Sequence, residues 1–571
     1  MFESFQDPVI DLRFAADESY GPAVNYLTFV LPLITALVIS MVIIPVMVRL
    51  APALGMIDKP DPRKVHSLAV PRVGGFGMVI GALVSVILML TLDYQLQAFV
   101  IGALVLFGFG VLDDCKELGH YVKFIGQFIA VVVVVYFGDV YVTLLPFMGG
   151  EPVAAPVGKV FTVIAMVGMI NAINHSDGLD GLAGGESLLS LACISWLAWL
   201  AGDETVIIIA MATAGGAFGF MRFNTYPAKI FMGDGGSQFL GYTLGYLTVV
   251  LTQEVNPALS PALPALVLGL PIADIIAVFI QRIYKKMNWF KASRNHIHHR
   301  LLDLGFLHYE SVMLIYSIQA LLVLLAVLMP YESDGVILGV YLAVITTVFL
   351  LLYIAEHTGW HMHTKSDAAE ASDAIELSRY GVWLTEIPYL VVFYGIAVFL
   401  IAGAFLATDI PLDFTVIAMV LFILMLLRLL LVHRVGFLPL RFLSYVTIVF
   451  VVYLLNTYQP VYLSGADPLT YGFFGVLVVA IALAIRFSNK FEFNVTPMDL
   501  LIVLAVLSLA GLASKGIVSA AITAIILKSI ILFYGSELIY NKVKTRMNLF
   551  GYAVLASLLV VGVRGILMHV L

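Results

Sequence analysis

Charge is scarce in this chain. Of its 571 residues, 12% are Asp, Glu, Lys or Arg, while 61% are hydrophobic. Soluble globular proteins run to about a quarter charged and about half apolar, so a large water-soluble enzyme is excluded. Mean hydropathy is +1.02, which is that of a polytopic membrane protein. Cysteine is scarcer still. Cys115 and Cys193 are the only two, too few for a disulfide framework or a four-cysteine zinc site. The G-x-x-x-x-G-K-[ST] spacing of a P-loop is absent, and so is a dinucleotide-binding glycine fingerprint. Lys and Arg form no stripe outside short loops, which leaves nucleic-acid binding without support. The N-terminal stretch "MFESFQDPVIDLRFAADESYGPAVNY" is acidic and has no basic n-region. It does not read as a cleaved signal peptide, and the first apolar run is expected to stay as a membrane helix.

What is present is a long series of apolar runs. A bilayer-spanning helix needs about 20 mostly apolar residues. Runs of that kind fall near 24–49, 73–92, 95–112, 122–138, 158–173, 186–202, 205–222, 238–253, 263–283, 311–330 and 336–355. Further runs fall near 388–407, 413–432, 441–457, 469–485, 498–514, 516–535 and 549–570. The expected fold is therefore all-α and polytopic, with about 11 transmembrane helices in a first unit and about 7 in a second. The tight pair around Lys515 is alternatively re-entrant. The expected organisation is a membrane domain over 1–355, a cytoplasmic linker over 356–387 and a second membrane domain over 388–571. No fixed-period repeat is present, and unequal halves argue against a duplicated transporter.

Basic residues set orientation. Lys59, Arg63, Lys64 and Arg72 share one loop, Lys116 and Lys123 a second, and Lys285, Lys286, Lys291, Arg294 and Arg300 a third. Intervening loops such as "TLDYQ", "AGDET" and "PYESDG" carry no Lys or Arg. The basic loops are expected in the cytoplasm, with both termini outside. The dense polar clusters of the first unit all fall on those inner loops: "DKPDPRKVHSLAVPRVGG", "LDDCKELGHYVK", "NAINHSDGLDGLAGG", "FNTYPAKIFMGDGGS" and "SRNHIHHRLLDLGF". Random solvated loops would fall on both faces. Gathered on one face, these loops suggest a composite active site at the inner membrane surface.

The residue types narrow its chemistry. Asp113 and Asp114 are adjacent at the end of an apolar run. Asp177 and Asp180 are three apart, a spacing that shares one face of a helical turn. Asp234 sits among glycines in "MGDGGS", where backbone can approach a ligand closely. Hard carboxylate oxygens suit Mg²⁺, which is usually held by one or two carboxylates together with substrate phosphates. His296, His298 and His299 form "HIHH" beside Arg294 and Arg300. Two neighbouring cations disfavour zinc and favour donation to anionic phosphate oxygens. Phosphates and Mg²⁺ at the inner leaflet point to phosphoryl transfer between a nucleotide and a lipid.

At these five motifs, in this order, the chain resembles the polyprenyl-phosphate N-acetylhexosamine-1-phosphate transferases, over roughly residues 24–355. The family includes WecA-type enzymes and the phospho-muramoyl-pentapeptide translocase. The "HIHH" form is more similar to the WecA-type branch. The resemblance implies a UDP-N-acetylhexosamine donor, GlcNAc above all, and undecaprenyl phosphate as acceptor. UMP leaves, with Mg²⁺ or Mn²⁺ as cofactor, in a bacterial inner membrane. The product starts a lipid-linked cell-surface glycan such as lipopolysaccharide O-antigen. A homodimer is compatible with it. It also implies residue roles. Asp234 is expected to ligate metal with support from Asp114, and Asp113 to act on the lipid phosphate. Asp177, Asp180, His296, His298 and His299 complete the catalytic set. Lys64, Arg72, Lys116, Lys123, Asn171, Asn174, Asn224, Arg294 and Arg300 are expected to bind substrate. His175 and Ser176 depart from the apolar or small residues that relatives often carry there, and point to an effect on donor choice.

The rival class is a transporter or flippase of lipid-linked sugars. It would place ionisable residues near the membrane midplane at a repeat interface, whereas here they gather on one face. The second unit lies outside the family's usual length. There Arg428 is expected to snorkel, while Asp499 and Lys528 lie in neighbouring apolar runs. A structural or lipid-facing role is expected for this unit, with handling of the lipid-linked product as the alternative.

Overall fold

The computed structural model describes residues 26–58, 69–116, 118–287, 295–363, 381–430, 438–458, 468–487, 520–542 and 544–570. The chain divides into two compact units, residues 1–362 and 363–571.

The first unit is built of α1 (Tyr26–Leu54), α2 (Gly74–Met89), α3 (Tyr94–Lys116), α4 (His120–Val132), α5 (Ala155–Ser176), α6 (Leu182–Ala201) and α7 (Glu204–Asn224). It continues with α8 (Asp234–Val250), α9 (Pro264–Val267), α10 (Gly269–Tyr284), α11 (Ile297–Asp303), α12 (His308–Leu328) and α13 (Asp334–Thr358). One antiparallel pair interrupts the all-helical plan, with Ile57–Asp58 against Val70–Pro71. The second unit consists of α14 (Gly381–Leu406), α15 (Leu412–Leu430), α16 (Leu438–Thr457), α17 (Pro468–Phe487), α18 (Ala520–Lys542) and α19 (Lys544–Val570).

Among the described residues, 12 helices are long and apolar enough to cross a membrane, and three further apolar helices are shorter. The chain is thus a polytopic membrane protein. A helix suits an apolar environment because it satisfies its backbone internally. The eleven apolar runs expected in the first unit all fall on helices, but not all as uniform spans. The run near 263–283 breaks at Leu268, which separates α9 from α10. The run near 238–253 passes from α8 into a π-helical turn, Leu251–Val255. In the second unit the run near 498–514, Asp499 and Lys515 lie outside the described residues, while the run near 516–535 falls on α18 from Ala520 onward. The expected linker is shortened from both ends, since α13 runs to Thr358 and α14 starts at Gly381.

The core of the first unit is α8. Every residue from Gly235 to Val250 is buried, with α2, α3, α5, α6 and α7 packed around it. Its first turn accepts two backbones at close range. A Cβ on Gly75 would lie 2.7 Å from the Gly236 nitrogen, and one on Gly110 would collide with the Gly235 backbone. Gly75, Gly110, Gly235 and Gly236 therefore serve one packing problem. They let α2 and α3 lie directly on the start of α8, where the polar residues begin.

Candidate active site

The site is assembled at that start. Gly233 caps α8 at φ +75°, a left-handed conformation that disfavours a side chain. A Cβ there would also lie 2.5 Å from Asp114 Oδ2. Asp114, in the last turn of α3, accepts from the Asp234 nitrogen at 3.0 Å and from the Gly235 nitrogen at 3.3 Å. A carboxylate is stabilised by the unsatisfied N–H groups and dipole of a helix N-terminus. Both Asp114 oxygens are thus engaged in fixing the residue they flank.

That residue, Asp234, gathers the next shell. Lys123 of α4 bridges two carboxylates, with its Nζ 2.7 Å from Asp234 Oδ2 and 2.6 Å from Asp113 Oδ2. The other Asp113 oxygen accepts from the Leu118 nitrogen at 2.6 Å. Asn174 of α5 donates to Asp234 Oδ1 at 3.2 Å and to Ser237 Oγ at 2.8 Å. Gln238 donates to Asp234 Oδ2 at 3.3 Å. Behind it, Gln127 donates to Gln238 at 3.3 Å and accepts from Asn171 at 2.8 Å. Ends of α3, α4, α5 and α8 thereby meet around a cation held between two acids.

The Asp177 and Asp180 pair corrects a sequence expectation. These residues do not share a helical face, because α5 stops at Ser176 and α6 starts at Leu182. Between them lies a turn closed by Gly181 at φ +82°. Asp180 accepts from the Ala228 nitrogen at 2.9 Å, and its own nitrogen donates to His308 Nε2 at 2.9 Å. Asn224 is buried and accepts from the Gly181 nitrogen at 2.8 Å while donating to the Ile230 carbonyl at 2.8 Å. Tyr316 donates to the Gly181 carbonyl at 2.5 Å. Asp180 and Asn224 thus hold two loops together through backbone. Asp177 is different. Burial pushes its carboxyl up to about 7, with help from the charges of Asp234 and Asp180.

The histidines close one side. His296 precedes α11, and its Nδ1 lies 2.7 Å from Asp274 Oδ2. Its ring stacks with those of His175 and His298, at 5.3 and 5.7 Å between centroids. His298 and His299 approach to 4.2 Å. His298 packs on the Asp177–Gly181 turn, where a Cβ at Gly178 would collide with its Nε2. Burial, then the neighbouring His299 and His296 rings, hold His298 well below the ordinary imidazole range.

Other expected residues lie around this cluster, and the charge of Arg72 reaches Asp114. Lys116 is exposed at the end of α3. Arg72 pairs with Asp58. Arg300 makes a two-bond pair with Glu356 of α13, at 2.6 and 2.9 Å, so its guanidinium is directed to that helix. Lys64 and Arg294 lie outside the described residues. Sequence reading missed Gln127, Ser237, Gln238, His308 and Asp274. Asp274 carried a usable signal, being the one acid in the run 263–283, and an acid inside a membrane span is functional by default.

Among the described residues no three His, Cys, Asp or Glu side chains converge as a ready-made metal site. The donor set fits a divalent cation of the other kind, held by one or two carboxylates and completed by substrate phosphates. Asp234 and Asp113 already share a positive charge, that of Lys123.

Known proteins match the segment that carries this cluster. The model of glycosyl transferase family 4 matches residues 96–252, the segment that carries Asp113, Lys123, Asn174, Asp177 and Asp234. A Bacillus subtilis (strain 168) protein named probable undecaprenyl-phosphate N-acetylglucosaminyl 1-phosphate transferase is 33% identical over 335 residues, 58% of this chain and 91% of the relative. The undecaprenyl-phosphate alpha-N-acetylglucosaminyl 1-phosphate transferase of Escherichia coli O157:H7 is 30% identical over 55% of this chain and 86% of its own length. Its Yersinia pestis namesake is 28% identical over 56% and 90%. The chain therefore belongs to glycosyl transferase family 4, the polyprenyl-phosphate N-acetylhexosamine-1-phosphate transferases.

Proposed function

We propose that the first unit transfers GlcNAc-1-phosphate from UDP-GlcNAc to undecaprenyl phosphate on the cytoplasmic face of a bacterial inner membrane. The observation that carries this reading is the Asp113–Lys123–Asp234 bridge, set inside the family-matched segment. The names of the relatives support GlcNAc as the sugar and undecaprenyl phosphate as the lipid. Basic residues in the loops around the site support the orientation.

In this reaction an oxygen of the lipid phosphate attacks the sugar-bearing phosphorus of the donor. One P–O bond forms, the bond to UMP breaks, and the product is a polyprenyl-diphosphate sugar. Several negative charges are brought together, so positioning and charge neutralisation carry most of the catalysis. A phosphate monoester has a second pKa of about 6 and is largely ionised at neutral pH. Asp113, whose oxygens are engaged by Lys123 and Leu118, is accordingly assigned to orienting Lys123 rather than to removing a proton. Lys123 and His296 neutralise the diphosphate, while Asn174 and Asp177 line the donor pocket. Asp114 positions Asp234, and Asp180 and Asn224 hold the pocket loops. Mg²⁺ or Mn²⁺, when bound, would be held by Asp234 and Asp113 and would neutralise charge on the diphosphate.

The test is UMP release by the purified protein with undecaprenyl phosphate, Mg²⁺ and a panel of UDP-sugars. UDP-GlcNAc is expected to be the fastest donor. Faster turnover of another UDP-N-acetylhexosamine would replace the sugar, and no UMP from any donor would overturn the reading.

A further inference from the structure

Asp274 lies in the second turn of α10, within an otherwise apolar run. A carboxylate in such a place is costly and needs partners. Its two oxygens have them, and both belong to the start of α11. Oδ1 accepts from the Ile297 nitrogen at 2.9 Å, and Oδ2 meets His296 Nδ1 at 2.7 Å. Capping α11 would need only the first contact. The second fixes a ring.

That contact fixes which ring nitrogen is taken. A carboxylate only accepts, so Nδ1 carries a hydrogen towards Asp274, and in the imidazolium Nε2 carries the second hydrogen and can donate to a phosphate oxygen. Ring rotation is restrained from the side as well. His296 is 6% exposed, and His175 at the end of α5 stacks on it at 24° between planes. His175 itself is exposed. The charge of Asp274 also reaches His175, so α5, α10 and the start of α11 meet around this one imidazole. Groups that orient a ligating histidine through its second nitrogen typically change affinity or activity by about 10–100-fold when removed.

We propose that Asp274 is a positioning residue that presents His296 Nε2 to the substrate diphosphate, with His175 as the second side of the clamp. This rests on the transferase reading above. It also gives His175, one of the positions where this chain departs from its relatives, a physical partner.

Double-mutant cycles test it, because coupled residues fail to add. UMP release and the UDP-induced rise in thermal midpoint are measured for wild type, Asp274→Asn, His296→Ala and the double variant, with Asp274→Glu and His175→Ala alongside. Asp274→Asn is expected to lower kcat/KM by about 10–100-fold and to weaken the UDP-induced rise. In the His296→Ala background the same change should add almost nothing. Asp274→Glu should recover part of the loss, and His175→Ala should lose less than Asp274→Asn. An equal Asp274→Asn penalty with and without His296 would overturn the clamp, as would a fall in thermal midpoint with the UDP response intact. If Asp274→Asn does not fold, the Asp274→Glu cycle decides in the same way. A wild type that releases no UMP from any donor would sink the transferase reading alone. The UDP-binding cycle would still decide on the clamp.

Discussion

The two units differ in what their polar side chains hold. In the first, Asp114, Asp180, Asn224 and Asp274 bond to backbone N–H groups of loops and helix starts. In the second, side chain meets side chain across helices. Arg441 pairs with Glu537 at 3.4 Å, Tyr445 also donates to Glu537, Ser444 meets Tyr540, and Lys528 donates to Asn456 at 3.1 Å. Arg564 closes onto the carbonyls of Ala404 and Phe405 at the end of α14. The first pattern holds irregular backbone around Lys123, Asp234 and His296. The second ties helix to helix, which is a structural use of polarity. Ionisable residues in a membrane protein therefore do not all signal chemistry. What sets the candidate-site residues apart is that other polar groups hold the loops around them.

Changes at Asp234 should separate the units most sharply. Asp234→Asn is expected to reduce UMP release by about 10²–10³-fold, the scale seen when one electrostatic group is removed from a preorganised site. It should also abolish the added thermal protection that Mg²⁺ gives in the presence of UDP, read by a melt in detergent.

Asp113→Asn should cost less but still at least about tenfold, since it removes one partner of a charge-assisted contact. Initial rates of UMP release at saturating donor would measure it. Near-normal turnover would remove Asp113 from the mechanism altogether.

Asp177→Asn should trade activity for stability. The folded carboxyl is pushed up to about 7, while an unfolded Asp titrates near about 3.9. Between those values the folded protein holds a proton that the unfolded chain has lost, so stability declines as pH rises through that window. The variant's gain in thermal midpoint should be absent at pH 4, grow towards pH 7 and level off above it. A gain that is flat from pH 4 to 8 would contradict the assignment.

Glu537→Gln should have the smallest effect and the opposite profile. UMP release stays unchanged, while stability falls by about 1 kcal/mol, in line with a partly exposed ion pair and its added hydrogen bond. Loss of transferase activity in this variant would break the comparison between the units.

Much of the site was legible because its residues are short-range signals. Asp113, Asn174 and Asp234 stand at ends of apolar runs, Asp234 between glycines, and Lys123 stands at the start of another. The structure brings them within hydrogen-bond distance. What was not legible depends on where turns fall. Asp177 and Asp180 read as helical neighbours by spacing, but α5 ends at Ser176. Asp114 read as a metal ligand, yet its geometry is that of a cap on α8, a contact 120 positions away in the chain. Arg300 read as a phosphate partner by its place in "HIHHR", and only the fold reveals Glu356 beside it. Arg428 was expected to snorkel but is 4% exposed, close enough to Tyr540 for its charge to act there. A helical period says which face a residue is on, not whether that face meets protein. The helices themselves were legible throughout the first unit, since composition alone demands them. The break at Leu268 was not, although Pro264, Gly269 and Pro271 surround it.

The most direct test of the central claim, that phosphosugar transfer resides in the Asp113–Lys123–Asp234 cluster, is a side-by-side measurement of UMP release from UDP-GlcNAc and undecaprenyl phosphate. It uses the full-length wild type, Asp234→Asn and Glu537→Gln in the same detergent with Mg²⁺. Turnover is expected from the wild type and Glu537→Gln, with near-complete loss in Asp234→Asn. Equal turnover by wild type and Asp234→Asn would contradict it.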